Sequence, residues 1–211
     1  THLELRRFFH INETFNSKTA PKIWEKANAL LQTEDFKPRN LIKNSNVKAI
    51  CTTDDPADDL HFHKLIAEDE GKNGFKTLPA LRPDKLIHIE LPTYAEYMTK
   101  LGSVAGVEIK NFSDIEKVMH QRFEFFTLMG GVLSDHSLET FHFEEASQAE
   151  VDIIISKSLN NEVLTQNEVN RYVTALLVLL MKLNNEFDWT MQFHINSTRN
   201  LNKPMFEKIG A

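Results

Sequence analysis

The chain has 211 residues, of which 41% are hydrophobic and 26% are charged, and its formal net charge is −6 at pH 7. This length suits one large domain or two small ones, and the composition excludes a disordered or fibrous chain. Because the sequence has no run of basic residues and its longest apolar stretch, residues 175–181, is far too short to cross a bilayer, neither a nucleic-acid nor a membrane partner is expected.

Residues 1–45 have a mainly helical pattern. Pro21 suits the first turn of a helix, and the apolar residues after it recur at helical spacing on one face, namely Ile23, Ala27, Leu30 and Leu31. From residue 46 onward the pattern changes to strands separated by helices. We therefore predict a helical insertion region over residues 1–45 and an α/β region over residues 46–211.

The first predicted strand is the β-branched run at residues 47–53, which contains the single cysteine, Cys51. One cysteine excludes an intramolecular disulfide and is typical of a reducing compartment, so a cytoplasmic location is expected. The acidic segment at residues 54–59 ends the strand and opens a helix. Asp54 and Asp55 are therefore interpreted first as N-cap residues.

The second predicted strand covers residues 75–81, although Pro79 is awkward inside a central strand. Arg82 follows directly, and Asp84 and Lys85 are interpreted as turn residues. Arg82 can serve in a structural ion pair or in ligand binding, and its position directly after a strand favours binding.

Two capping boxes, at residues 113–116 and 165–168, predict long helices in the C-terminal half of the chain. A predicted strand follows each of these helical regions, the first at residues 132–136 and the second at residues 189–194. Strands separated by helices indicate a parallel sheet covered by helices. Four such units make half of an eight-stranded barrel, and a doubly wound sheet is the alternative. No glycine-rich fingerprint follows any predicted strand, so nucleotide binding has no support.

Side chains that can bind anions or move protons come at or just after these strand ends: Arg82, Asp135, His136, His194 and Arg199. In a parallel sheet the carboxyl ends of the strands meet at one edge, so these groups are expected to converge. Arginine suits capture of a carboxylate, and Asp and His are common proton carriers and metal ligands. The set predicts a site for a small, polar, anionic substrate. Alternatively, His194 is a core histidine before an ordinary loop, and His136 points away if Asp135 points in.

A pair of histidines elsewhere has the spacing of a metal motif, His61-x-His63, but it falls in a predicted helix. Residues two positions apart on a helix do not share a face, so this pair is interpreted as surface and partial core. His142 has no partner at an informative spacing.

Five segments in collinear order resemble the uronate isomerase family, also called glucuronate isomerase, of the amidohydrolase superfamily. The segments are THLELRRFF (1–9), VKAICTTDDP (47–56), LRPDK (81–85), SDH (134–136) and MQFHI (191–195), the last followed by Arg199 and Asn200. The resemblance runs the whole length of the chain, and the ordered set is more specific than any one segment.

The resemblance implies a distorted (β/α)8 barrel with helical insertions, of which this chain corresponds to about strands two to five, so that residues 46–211 are a barrel domain truncated at both ends. It also implies aldose–ketose interconversion of hexuronates, D-glucuronate with D-fructuronate and D-galacturonate with D-tagaturonate, by proton transfer through an enediol. By the same resemblance, Asp135 and His194 are catalytic, and Arg82 and Arg199 bind substrate. His194 can also serve as a ligand of a divalent metal, with zinc as first choice.

Several elements of the family pattern have no match in this sequence. The metal-binding His-x-His of its first strand and a tyrosine acid lie upstream of Thr1, and the Asp and Arg of its last strand lie downstream of Ala211. Most metal ligands therefore lie outside this chain, and we expect it to be a central segment that is inactive alone.

Other interpretations stay open. A metal-dependent hydrolase of the same superfamily is the enzymatic alternative, although two strand-end arginines favour a sugar acid as substrate. A non-catalytic helical module is the alternative from another class, and it predicts scattered rather than convergent polar residues. The helix that begins near residue 166 can face the core or a second copy of the chain, so a homo-oligomer is also considered.

Overall fold

The computed structural model describes residues 1–195 and 201–210. The chain divides into two compact units. Unit 1 contains Thr1–Ile50 and Glu68–Lys76, and unit 2 contains Cys51–Ala67 and Thr77–Ala211. The boundary at residue 45 between a helical insertion and a barrel region stays a prediction.

Unit 1 is mainly helical. Its helices are α1 (His2–Phe9), α2 (Ala20–Leu31), α3 (Pro38–Asn44) and the short α5 (Glu70–Asn73), with a single 3-10 turn at Glu34–Phe36. A small apolar cluster of Leu5, Ile11 and Ile23, with Phe9 against it, forms its core. Pro21 lies in the first turn of α2 as predicted. Leu31 is exposed, so the predicted apolar face of α2 is wrong at its C-terminal end.

The four strands form one sheet in the order β1-β2-β3-β4, which is the order of part of a (β/α)8 barrel and not that of a doubly wound sheet. Their bounds are β1 (Ala49–Asp54), β2 (Lys76–Leu81), β3 (Leu133–Leu138) and β4 (Thr190–Ile195). β2 pairs with β3, and β3 with β4, in parallel. Backbone hydrogen bonds from Lys76 to Lys48 and from Arg82 to Asp54 keep a constant register between β1 and β2, which also fits a parallel pair. Parallel neighbours in sequence order are the pattern of part of a (β/α)8 barrel.

Helices connect the strands of unit 2. They are α4 (His61–Glu68), α6 (Asp84–Ile87), α7 (Tyr94–Ala105), α8 (Phe112–Leu128), α9 (Gln148–Leu159) and α10 (Gln166–Glu186), and α11 (Lys203–Ile209) follows β4. The core lies between the sheet and these helices, and its fully buried members include Leu81, Phe123, Phe126, Tyr172 and Leu180. Within residues 1–195 and 201–210, no helix combines the length and the hydrophobicity needed to span a bilayer.

The start of α8 differs from its prediction. The capping box is formed by Asn111 and Asp114, not by residues 113–116. The extended Asn111 accepts a hydrogen bond from the Asp114 backbone N–H, and the Asp114 carboxylate accepts one from the Asn111 backbone N–H. Asparagine is as good an N-cap as serine, so the helix begins earlier, at Phe112. The second predicted box, Thr165 with Glu168, is confirmed.

Helix α10 packs mainly inside its own unit. Tyr172, Leu176, Leu177, Leu180 and Leu183 are buried in the core. At its centre the Tyr172 hydroxyl donates to the backbone carbonyl of Leu86 at 3.0 Å and lies 2.8 Å from the Tyr94 hydroxyl. Desolvation by burial raises the pKa of Tyr172 well above its ordinary value, so this hydroxyl stays protonated as a hydrogen-bond donor.

Arg122 of α8 holds the loop that follows β1. It is buried, its Nε donates to the Pro56 carbonyl at 2.6 Å, and its Nη2 donates to the Asp58 carbonyl at 2.7 Å. Its guanidinium also lies over the ring of Phe125. Burial lowers the pKa of Arg122, although an arginine remains charged at any pH in use.

Replacing Arg122 by methionine is expected to lower the free energy of unfolding by about 2 kcal/mol, because the apolar stem is kept but the buried Pro56 carbonyl and the partly buried Asp58 carbonyl lose their donors. Denaturant unfolding of the complete polypeptide that contains this sequence measures the change. Arg171→Met is the matched control, since Arg171 pairs with Glu150 at a partly exposed position and is expected to matter less than Arg122. Equal losses in the two variants would show that the loop contacts of Arg122 contribute nothing.

Candidate active site

Polar side chains from three strands converge at the carboxyl edge of the sheet. Arg82 follows β2 directly, Asp135 lies on β3, and His194 lies on β4. Asp135 pairs in register with Gln192, so His194 lies one pleat further along the neighbouring strand on the same face. The predicted convergence of these three groups is therefore present. Arg199 lies outside the described residues.

Asp135 is the centre of this cluster. Its side chain is only 6% exposed, and its two oxygens face different partners. Oδ2 lies 3.4 Å from Arg82 Nη1, and Oδ1 lies 2.7 Å from His194 Nδ1. The second contact has ion-pair distance but not hydrogen-bond geometry, and among the described residues no group donates a hydrogen bond to Oδ1. We therefore interpret the Asp135–His194 contact as electrostatic.

Arg82 is held between two carboxylates. Its Nε donates to Asp84 Oδ2 at 2.9 Å, while Nη1 faces Asp135. Its main chain is held as well, because its backbone N–H donates to the Asp54 carbonyl at 2.8 Å. One guanidinium beside two carboxylates leaves no net positive charge, so Arg82 by itself is a weak anion-binding group. An anionic ligand here needs another positive group nearby.

His194 is the accessible member of the cluster, with 54% of its side chain exposed. Its Nε2 lies 3.2 Å from the Gln192 side-chain nitrogen. If that amide donates to Nε2, the imidazole proton lies on Nδ1, facing Asp135. The ring is then oriented by a carboxylate on one nitrogen and an amide on the other, an arrangement suited to proton transfer.

His136 lies on the opposite face of β3 and is fully buried against the helices. Asn184 Nδ2 donates to the Leu180 carbonyl, Ser134 Oγ donates to Asn184 Oδ1, and Ser134 Oγ lies 2.8 Å from His136 Nε2. Since the serine proton is already used, His136 Nε2 carries the hydrogen. Desolvation by burial lowers the pKa of His136 to about 4. His136 therefore points away from the site while its neighbour Asp135 points into it, which was one of the two alternatives that the sequence left open.

The strand end of β1 has its own polar network. Thr52 Oγ1 lies 2.7 Å from Asp54 Oδ2 and 2.8 Å from His63 Nε2. His63 is buried, so the interpretation of the His61-x-His63 pair as surface and partial core holds, with His61 exposed. The spacing of the two histidines gave no indication that His63 would lie near Asp54, the carboxylate at the end of β1. Because both Thr52 and Asp54 face the same imidazole nitrogen, the trio lacks the relay geometry of a nucleophilic triad.

Asp55 is a loop cap with additional partners. Its Oδ1 accepts hydrogen bonds from the Ala57 backbone N–H at 2.8 Å and from the Tyr97 hydroxyl at 3.0 Å. Its Oδ2 lies 3.0 Å from Lys85 Nζ. The N-cap interpretation is wrong for both Asp54 and Asp55, because helix α4 begins only at His61. Asp55 instead caps a turn in the loop before it, where Asp58 and Asp59 also accept backbone N–H groups.

The described residues do not form a metal site by themselves. Within residues 1–195 and 201–210, no group of three or more His, Cys, Asp or Glu side chains is placed to hold a metal ion. His194 has only Nε2 left for a ligand bond, because Nδ1 faces Asp135. A resident metal would therefore need most of its ligands from other parts of the polypeptide.

The model of the glucuronate isomerase family (UxaC) matches residues 1–211, the whole chain. The chain belongs to the glucuronate isomerase family. Among its relatives are a uronate isomerase of Latilactobacillus sakei subsp. sakei (strain 23K), 63% identical, and one of Lactococcus lactis subsp. cremoris (strain MG1363), 53% identical, each over 210 residues. The alignments cover 100% of this chain but 45% and 44% of those proteins, so the chain spans less than half their length.

Solved structures of the glucuronate isomerase family have the same fold. A crystal structure of uronate isomerase from Thermotoga maritima has a TM-score of 0.89 and 30% identity, covering 99% of this chain and 46% of that one. A glucuronate isomerase from Caulobacter crescentus has a TM-score of 0.85 at 22% identity, covering 97% of this chain and 42% of that one, and shows the fold alone. The predicted α/β fold, part of a distorted barrel, is confirmed. The close approach of Arg82, Asp135 and His194 also contradicts the helical-module alternative.

Proposed function

We propose that the complete polypeptide carrying this sequence interconverts aldose and ketose hexuronates, D-glucuronate with D-fructuronate and D-galacturonate with D-tagaturonate. The observation that carries the proposal is the match of the whole chain to the glucuronate isomerase family. The convergence of Arg82, Asp135 and His194 at the carboxyl edge of the sheet supports it. The hydrolase alternative has no comparable support.

The reaction moves one proton from C2 to C1 and one from O2 to O1, through an enediol, with no net gain or loss of electrons. In our proposal His194 exchanges a proton with a substrate oxygen, since it is the exposed member of the cluster. The buried Asp135 holds the imidazole orientation.

Arg82 and Arg199 are proposed to bind the substrate carboxylate, Arg82 through Nη2, which has no partner among the described residues. A divalent metal, with zinc as first choice, stays part of the proposal. Where His194 Nε2 is one of its ligands, that nitrogen would hold the metal instead of exchanging a proton. When bound, the metal would polarise the substrate oxygens. Membership of the amidohydrolase superfamily, a role in pentose and glucuronate interconversion, a cytoplasmic location and assembly into a homo-oligomer are proposed on the same resemblance.

Proton NMR of D-glucuronate and of D-galacturonate in D2O, each incubated with the complete polypeptide, tests this function. We expect ketose signals from both sugar acids, and none from D-glucose, which lacks the carboxylate. No conversion of either hexuronate would overturn the proposal.

Replacing Arg82 by lysine is expected to raise the Michaelis constant for D-glucuronate about tenfold with a smaller change in kcat, because charge is kept but the planar fork is lost. Steady-state kinetics of the complete polypeptide measures both constants. Arg171→Lys, a change in a peripheral ion pair with Glu150, is the matched control. An unchanged Michaelis constant would show that Arg82 is structural.

A further inference from the structure

We propose that Asp84 is a positioning residue for Arg82, an inference that rests on the function proposed above. Asp84 begins α6, and its sequence context suggested only a turn residue. Its two carboxylate oxygens have separate partners. Oδ2 accepts a hydrogen bond from Arg82 Nε at 2.9 Å, and Oδ1 accepts one from the Ser137 backbone N–H at 3.3 Å.

These two hydrogen bonds connect neighbouring strands at the site. Arg82 follows β2, and Ser137 lies on β3 two residues beyond Asp135. Asp84 therefore links Arg82, which binds substrate in our proposal, to strand β3, which carries Asp135, the second carboxylate beside Arg82. The side chains of Arg82 and Asp84 are 27% and 31% exposed, so the pair is partly shielded from water and stronger than a pair on the open surface.

The guanidinium of Arg82 is oriented from the Nε side. Its main chain is already held by Asp54, so what remains to be set is the direction of the planar side chain. Asp84 holds Nε, and Asp135 faces Nη1. Among the described residues, no hydrogen bond or ion pair involves Nη2. Nη2 is thus the nitrogen left for a ligand, and because the guanidinium is planar and rigid, holding Nε fixes the direction in which Nη2 donates.

Asp84→Asn in the complete polypeptide tests the inference. The asparagine keeps an oxygen for the Ser137 N–H, but its NH2 cannot accept from Arg82 Nε. We expect the Michaelis constant for D-glucuronate to rise about tenfold, with kcat changed by less than about threefold. Asp84→Glu, which keeps the charge, is expected to recover part of the loss. Asp152→Asn is the matched control, because Asp152 accepts a hydrogen bond from the Phe112 backbone N–H outside the site.

A double-mutant cycle separates positioning from a direct effect. In an Arg82→Lys background there is no Nε to hold, so adding Asp84→Asn should change the Michaelis constant less than about twofold. The same loss in both backgrounds, or a normal Michaelis constant for Asp84→Asn in the Arg82 protein, would overturn the inference.

Proton exchange at Arg82 Nε, followed by NMR of protein labelled with ¹⁵N-arginine, is a readout that does not depend on turnover. Exchange should be slow in the parent and faster in Asp84→Asn, and equal rates would refute the positioning contact. A parent that shows slow exchange but converts no hexuronate would instead overturn the proposed function. The two failures are therefore distinguishable.

Discussion

Replacing His194 by asparagine in the complete polypeptide is expected to lower kcat for D-glucuronate isomerisation by about 10²–10⁴-fold, the usual contribution of a positioned proton-transfer group. The fold should be retained, because more than half of the side chain is exposed. Asparagine preserves hydrogen bonding but cannot take up and release a proton near neutral pH. Steady-state kinetics together with circular dichroism measures both parts of the prediction.

His120→Asn is the control for this experiment. His120 is also a partly exposed histidine near a carboxylate, since its Nε2 lies 3.0 Å from Glu186, but it lies on α8 away from the strand ends. The control should retain normal turnover. Full activity of His194→Asn would remove His194 from the proposed mechanism, and an unfolded variant would show that its role is structural.

Acidification is expected to destabilise unit 2 through the buried imidazole of His136. Burial lowers its pKa from the usual 6.5 to about 4 in the folded protein. As the pH falls below about 6.5, the unfolded chain takes up a proton that the folded chain does not, so the free energy of unfolding decreases. The loss is complete near pH 4, where the folded state also binds the proton, and amounts to about 3 kcal/mol.

The measurement is denaturant unfolding of the complete polypeptide at several pH values between 7 and 4. His136→Gln cannot titrate, so its free energy of unfolding should fall by about 3 kcal/mol less over this range than that of the parent. Because the fall in the free energy of unfolding is taken within each protein, a lower stability of His136→Gln at pH 7 does not affect the comparison. His61→Gln, which removes an exposed imidazole, is the matched control. The same pH dependence in parent and His136→Gln would show that the imidazole is already solvated in the fold.

The order and type of the elements could be predicted from the sequence because periodicity and capping act locally. The change from helical spacing to short strand-like runs, the first of them β-branched, gave four strands near their observed positions, and Thr165 with Glu168 marked the start of α10. Boundaries were less exact. Asn111 rather than Ser113 caps α8, because two polar residues two positions apart compete for the same role and only the backbone conformation decides between them.

The strand-end motif also allowed the site to be placed, since any parallel sheet brings the carboxyl ends of its strands together. Arg82, Asp135 and His194 were named from their positions alone, and the structure brings them into one cluster. Asp84 was assigned to a turn, because a short acidic side chain beside a proline is typical of one. Its contacts to Arg82 and to the Ser137 backbone depend on residues that are distant in sequence or on another strand.

The sequence by itself determined the α/β class and the identity of the groups at the strand ends, because these follow from local periodicity and residue type. The order of the strands came from the structure, since the pattern also allowed a doubly wound sheet. Only the tertiary structure decided that Asp135 faces the site while His136 is buried behind it, and that Arg82 is held between two carboxylates. Alternation along a strand fixes that neighbours point to opposite faces, but which face packs against the helices depends on the burial of the whole sheet.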